Sequence, residues 1–303
     1  MVNEGRDSKM NTIKRSFAER VFEVFNIVLM CIICVLMLYP MIHVLCASLS
    51  SPEAISGYQG LLIYPKEFTV SAYRLMMKNP MILRGYLNTL IVIVAGVSIN
   101  MLLTCFGAYV LSRKGFGLSG KIMMMIVFTM YFSGGIIPFY FTVISLGMEN
   151  SLLALILPSA MSTYNLIIMR TAFLSIPESL LESARLDGAG HFTILFRIVI
   201  PLSKATMAVI LLYYIVGHWN SWFNAMLFLT DRTKFPLQLI LREILIQNDT
   251  SQMTQNINIG DQGMVGETVK YAVIIISTVP ILCIYPFIQK YFEKGVMIGA
   301  VKG

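Results

Sequence analysis

Six stretches of this chain are apolar for the length a helix needs to cross a bilayer, about 20 residues. They fall near 21–47, 87–111, 121–145, 151–170, 204–229 and 267–289. Composition agrees: the 303 residues are 56% hydrophobic and 13% charged, where a soluble domain carries about 25% charged residues. The pattern predicts an all-α integral membrane protein of six transmembrane helices. The third stretch carries Ser133-Gly134-Gly135-Ile136-Ile137-Pro138, which breaks a regular helix. Such breaks are tolerated at membrane depth where the backbone packs on protein or lines a cavity.

Basic residues set the expected orientation. With the N-terminus inside, fifteen of the 23 Lys and Arg fall on the cytoplasmic side, as the positive-inside rule asks, so both termini are expected there. The net charge of +7 then reflects loops facing anionic lipid rather than a nucleic-acid surface. Residues 1–20 form a polar segment too long for a signal peptide and lead into a full-length span, read as uncleaved. Residues 21–303 read as one membrane domain, with two sizeable outer segments at 48–86 and 230–266. Cys31, Cys34, Cys46, Cys105 and Cys283 all lie in apolar segments, where they read as packing residues; the Cys31-x-x-Cys34 pair has no second Cys/His pair nearby to make a zinc site. No charge lies in the middle of a span, which argues against a proton-coupled carrier. His43 and His218, near outer helix ends, read as packed or hydrogen-bonded.

One polar hairpin, 172–203, falls between the fourth and fifth stretches on the cytoplasmic side. Ser175-Ile176-Pro177-Glu178 reads as a helix start, with Ser175 capping and Glu178 at the positive end of the dipole. The expected helix runs from Pro177 to Asp187. Leu180, Leu181 and Ala184 supply its apolar stripe, and Glu182 and Arg185 are spaced to pair. Gly188 stops it in a left-handed turn. A second helix is expected from His191 to about Ile200, ended by Pro201.

Glu182-Ser183-Ala184, three residues, Gly188, nine residues, then Ile198-Val199-Ile200-Pro201 resembles the EAA loop of ABC importer permeases: E-A-A, three residues, G, nine residues, I-x-L-P. Ser183 and Ile200 are mild departures. Other segments resemble the carbohydrate, maltose-type branch: Asn88-Thr89-Leu90 opening the second span, Ala108-Tyr109-Val110-Leu111-Ser112-Arg113 leaving it, and Trp219-Asn220-Ser221-Trp222 in the fifth. The tail from Gln289 to Gly303 resembles that branch's second permease. The resemblance covers about 60–290 and the tail, with 291–303 a cytoplasmic tail reaching the ATPase interface. It implies that Glu182, Ser183, Ala184, Asp187, Gly188 and Pro201 belong to a coupling helix docking into an ATPase subunit. It further implies a heterodimer with a homologous second permease, two ATPase subunits that bind ATP and magnesium, and an extracytoplasmic substrate-binding protein docking on the outer segments. The chain itself would need no cofactor and perform no catalysis, and its location would be the bacterial cytoplasmic membrane.

Gly115-x4-Gly120-Lys121 nearly makes a phosphate-binding loop, but Ile122 stands where Ser or Thr would hold magnesium, and a span precedes it instead of a strand. A sugar path calls for rings that stack on sugar faces and amides that bond hydroxyls. Asn88, Tyr131, Tyr140, Trp219, Asn220, Trp222 and Asn224 are the candidates, with Asn220 and Asn224 spaced for one helix face. The tryptophan pair could equally be an interfacial anchor. The alternative function, an integral membrane enzyme of lipid-linked sugar metabolism, calls for clustered carboxylates or histidines; the acidic residues are scattered.

Overall fold

Ser16 opens the first long helix, α1 (Phe17–Ser48), its backbone N–H donating to Glu19 Oε2 at 2.8 Å in the manner of a capping box. The structure is a computed structural model that describes residues 16–246 and 259–300; within the latter, side chains are described for 265–284 and 286. Most of the expected N-terminal segment, residues 247–258 of the expected 230–266 outer segment and the end of the tail lie outside the described residues. No residue in the most apolar window of α1 is buried within the chain. Leaving each of its large side chains in water would cost about 1.5–3 kcal/mol, so this surface requires lipid or another subunit.

All regular structure among the described residues is helical. After α1 come α2 (Pro52–Ile55) and α3 (Ser71–Met77). Then α4 (Pro80–Ser112) runs 33 residues, about 50 Å at 1.5 Å per residue. It starts well before the apolar stretch because Asn79 caps it, accepting from Met81 N, and Pro80 sits in the first turn. The third stretch divides into α5 (Ser119–Tyr131) and α6 (Ile136–Ser145), bent by 115°. Gly135, at φ +87°, makes the break. Pro138 lies in the first turn of α6, where its missing N–H costs nothing.

The fourth stretch is not one helix. It divides into α7 (Leu153–Ile156) and α8 (Thr163–Leu174). Pro158 lies in the gap, and Ser162 starts α8 by accepting from Asn165 N. Next come α9 (Glu178–Leu186), α10 (His191–Leu202) and α11 (Lys204–Trp219), the last two bent by 87°. The fifth stretch also ends early: α11 stops at Trp219, and α12 (Phe223–Phe228) follows a short break. A 3-10 turn at Arg232–Lys234, α13 (Leu237–Ile246) and α14 (Ile259–Ala300) complete the order. Among the described residues, three helical segments are long and apolar enough to cross a membrane: Phe17–Ser48, Pro80–Ser112 and Val265–Ile284. Counting the two bent pairs raises this to five, against six expected.

The centre is α4, which packs on α8, α11 and α13. Buried polar pairs pin it: Thr104 Oγ1 to Tyr214 Oη at 2.7 Å, Asn100 Nδ2 to the Ser159 carbonyl at 2.7 Å, and Leu237 N to Thr89 Oγ1 at 2.9 Å. Such groups cost most when left unpaired in an apolar interior, so each bond specifies one packing. The face of α4 at Gly96 lets His218 of α11 approach: a Cβ there would lie 2.6 Å from His218 Nε2.

Candidate translocation cavity and coupling hairpin

A cavity of about 540 Å³ opens where α4, α8 and α11 meet the break after Trp219. Asn100 reaches it from α4, Tyr164 and Asn165 from α8, and Tyr213, Tyr214 and His218 from α11. Asn220, Trp222 and Asn224 complete it from the break and the start of α12. His218 is buried and hydrogen-bonded through Nε2 to Asn100 Oδ1 at 3.1 Å, as its sequence reading expected. The Tyr164 and Tyr213 rings lie 6.4 Å apart, and the Arg242 guanidinium covers Trp222 at 4.4 Å. Among the described residues, no Asp, Glu, Lys or Arg lines the cavity. Amides, phenols and one imidazole beside aromatic faces suit a solute rich in hydroxyls: the polar groups exchange hydrogen bonds while the rings accept its apolar faces.

The cavity thus gathers three of the seven pathway candidates. Asn220 and Asn224 share it although no single helix carries both: Asn220 caps α11 and the chain turns before α12 begins. Asn88 instead ties α4 to the loop before α13, donating to the Thr233 and Phe235 carbonyls at 2.8 and 3.0 Å. Trp219 is 5% exposed, packs near Tyr86 and donates to the Ser277 carbonyl of α14 at 3.1 Å. Tyr140 stacks on Phe228 with centroids 5.8 Å apart, and Tyr131 stands exposed at the end of α5. Asn100, Tyr164, Asn165, Tyr213, Tyr214 and His218 were not among the candidates. Asn100 had a legible signal, as an amide midway along an apolar helix; the others are brought together only by packing.

At the other end of α11 lies the hairpin. Pro177 precedes α9, and Ser175 does not cap it, because its hydroxyl donates back to the Ala172 carbonyl. Leu181 is buried and Ala184 half-buried against the core, while Leu180 and Leu186 face outward, Leu186 at 89% exposure. Gly188 adopts φ +84°. Gly188 N donates to the Arg185 carbonyl and Ala189 N to the Ala184 carbonyl, the paired bonds of a Schellman stop. Arg185 pairs with Glu178 at 3.9 Å and not with Glu182, because residues seven apart also share a helix face. Glu182, Ser183 and Asp187 are therefore exposed at the apex with Gly188, and Glu182 has no ion pair among the described residues. Pro201 does not end α10, which runs on to Leu202. A π turn at Leu195–Val199 precedes it, and this wider winding accommodates a residue with no N–H to give.

Helices too apolar for water, packed around an uncharged hydrogen-bonding cavity and carrying an exposed polar hairpin, define a polytopic membrane protein of solute passage. The chain belongs to the family of binding-protein-dependent transport system inner membrane components, whose model matches residues 10–298. It is 42% identical over 277 residues to the polygalacturonan/rhamnogalacturonan transport system permease protein YtcP of Bacillus subtilis, covering 90% of this chain and 94% of that protein. It is 37% identical over 300 residues to protein LplC of the same organism, covering 98% and 100%. A chain in the crystal structure of a bacterial ABC transporter involved in the import of the acidic polysaccharide alginate superposes with a TM-score of 0.84 at 33% identity, over 93% of this chain and all of that one. The chain is thus a carbohydrate ABC importer permease of the bacterial inner membrane, a transport subunit and not an enzyme. Such a subunit works with a second permease, ATPase subunits and a substrate-binding protein. The lipid-linked sugar enzyme reading has no support among these relatives.

Proposed function

We propose that this chain forms half of the path by which an ATP-driven importer moves oligosaccharides into the cell, and that α9 is the coupling helix through which ATP hydrolysis reaches that path. The observation carrying this reading is the build of α9: a short helix seated on the core by Leu181, stopped sharply at Gly188, and presenting Glu182, Ser183 and Leu186 outward in EAA spacing. A rigid helix with small residues can enter a partner's groove closely, and an unpaired Glu182 can meet a basic residue there to fix register.

In this reading the chain crosses the membrane six times: α1, α4, the α5–α6 pair, the broken α7–α8 segment, α11 with the bend before it, and α14. Both termini and the hairpin lie in the cytoplasm. Residues 21–303 act as one domain, and the 291–303 tail reaches the ATPase interface. ATP and magnesium are bound by the two ATPase subunits, and this chain holds no cofactor. The 48–86 and 230–266 segments form part of the surface that receives the binding protein. The aromatic and amide lining of the cavity, together with relatives named for polygalacturonan/rhamnogalacturonan transport and alginate import, supports an oligosaccharide as cargo.

Uptake by reconstituted transporter tests the coupling role. Glu182→Ala and Gly188→Val should abolish uptake and weaken ATPase co-purification while membrane insertion persists. Gly188→Val places a β-branched side chain at φ +84°, a strain of about 1–3 kcal/mol that the Schellman stop must absorb. Normal uptake in both variants would refute the assignment.

A further inference from the structure

A second cavity, of about 710 Å³, lies beside the hairpin and apart from the polar cavity. Its walls are of two kinds. Phe106 and Val110 of α4 and Phe192 of α10 make an apolar lane; Phe192 is 72% exposed and meets Phe106 edge-on at 6.2 Å. Arg113, Arg185 and His191 also line it, and no Asp or Glu does so among the described residues.

Arg113 holds the clearest sign of a missing partner. It is 9% exposed, donates through Nε and Nη2 to Ser112 Oγ at 3.1 and 2.8 Å, and reaches the Phe173 carbonyl through Nη2 at 3.3 Å. Its guanidinium lies 4.9 Å over the Tyr109 ring. Nη1 is buried with no hydrogen-bond partner. Glu178, the carboxylate close enough to influence Arg113, is already engaged by Arg185. A buried charged donor left unmade is costly and rare. Burial also pulls the Arg113 pKa below its ordinary value, against the opposing pull of Tyr109 and Glu178.

We propose that this cavity holds an anionic phospholipid, its phosphate at Arg113, Arg185 and His191 and an acyl chain along Phe106, Val110 and Phe192. The phosphate supplies the acceptors that a guanidinium fork lacks here. An acyl chain along the lane gives the exposed Phe106 and Phe192 an apolar partner, which a free anion does not. The cavity sits where α4 ends, at the depth where headgroups meet a membrane protein's basic side; this placement rests on the cytoplasmic position of the hairpin proposed above. A lipid held there would tie the end of α4 to α10, the helix that follows the coupling helix.

The test uses the assembled transporter, with its ATPase subunits, in nanodiscs of phosphatidylcholine mixed with phosphatidylglycerol, and reads the lipid retained after detergent washing by native mass spectrometry. Phosphatidylglycerol should be retained in preference to phosphatidylcholine, and Arg113→Gln should cut that retention about tenfold, the effect of losing one charge-assisted hydrogen bond. If Arg113→Gln fails to assemble, Val110→Trp decides: it fills the lane from an exposed position and leaves the guanidinium intact, and it too should expel the lipid. Equal retention of both lipids, or phosphatidylglycerol retention unchanged in the variants, overturns the proposal. Full displacement by inorganic phosphate, with Val110→Trp without effect, assigns the site to a free anion and overturns the lipid. Retention by the permease pair that vanishes when the ATPase subunits bind assigns the site to a protein contact and overturns it as well. Co-purification of the ATPase subunits, scored on the same samples, reports the coupling role separately.

Discussion

Replacing Gly96 by Ala sets two physical effects against each other, and the structure says which wins. Ala is the better helix former by about 1 kcal/mol, so on an uncrowded face of α4 the change would stabilise. At Gly96 the new Cβ lands 2.6 Å from His218 Nε2 and 2.8 Å from Cε1, well inside contact distance. The imidazole cannot swing away freely: it is 6% exposed and bonded to Asn100 Oδ1, while Asn100 Nδ2 holds the Ser159 carbonyl. Overpacking costs about 1–3 kcal/mol, and stranding the buried Asn100 oxygen costs about 1–3 kcal/mol more. Against the propensity gain, the net destabilisation is about 1–5 kcal/mol. The assay is thermal unfolding of the purified transporter for Gly96→Ala, His218→Ala and the double variant. Gly96→Ala should lower the Tm and reduce uptake, because His218 and Asn100 line the polar cavity. With His218 truncated, the same glycine change should become neutral or stabilising. A higher Tm for Gly96→Ala alone, or identical effects in both backgrounds, would show that the His218 contact does not govern this packing.

Asn88→Ala removes both bonds to the 233 and 235 carbonyls and should destabilise by about 1–3 kcal/mol, read as a lowered Tm with the transport rate of the folded fraction unchanged. The two tryptophans should separate cleanly: Trp219→Ala, at a position 5% exposed, should cost about 3–5 kcal/mol and impair assembly. Trp222→Ala should leave assembly intact and alter uptake through KM, since Trp222 lines the cavity.

Long apolar runs made α1, α4 and most of α14 legible, because a bilayer demands continuous helix and hydropathy measures what the bilayer measures. Breaks were harder to read. Hydropathy does not register that the segment around Pro158 leaves helix before Ser162 restarts it, nor that the chain turns at Asn220. The third break was legible as a break, but its cause is the positive φ of Gly135 and not Pro138. The hairpin's stop at Gly188 followed from local backbone chemistry and needed no tertiary information. Its ion pair did not, because both Glu178 and Glu182 stand within reach of Arg185 and packing chose the former. The cavity was half legible for the same reason. Asn220, Trp222 and Asn224 cluster in sequence, whereas Asn100 joins His218 from 118 residues away. Asn88 and Trp219 carry the same chemistry as their cavity-lining counterparts, but partners on other elements draw them into packing roles.

The coupling role of α9 is the centre of the functional account, and cysteine crosslinking tests it most directly. Ser183, exposed on α9, is replaced by Cys in a background lacking Cys31, Cys34, Cys46, Cys105 and Cys283, and crosslinked within the assembled transporter. A crosslink to an ATPase subunit is expected, with a yield that changes when ATP binds. Co-purifying ATPase subunits that never crosslink at Ser183, with or without ATP, would contradict it and leave α9 an ordinary loop helix.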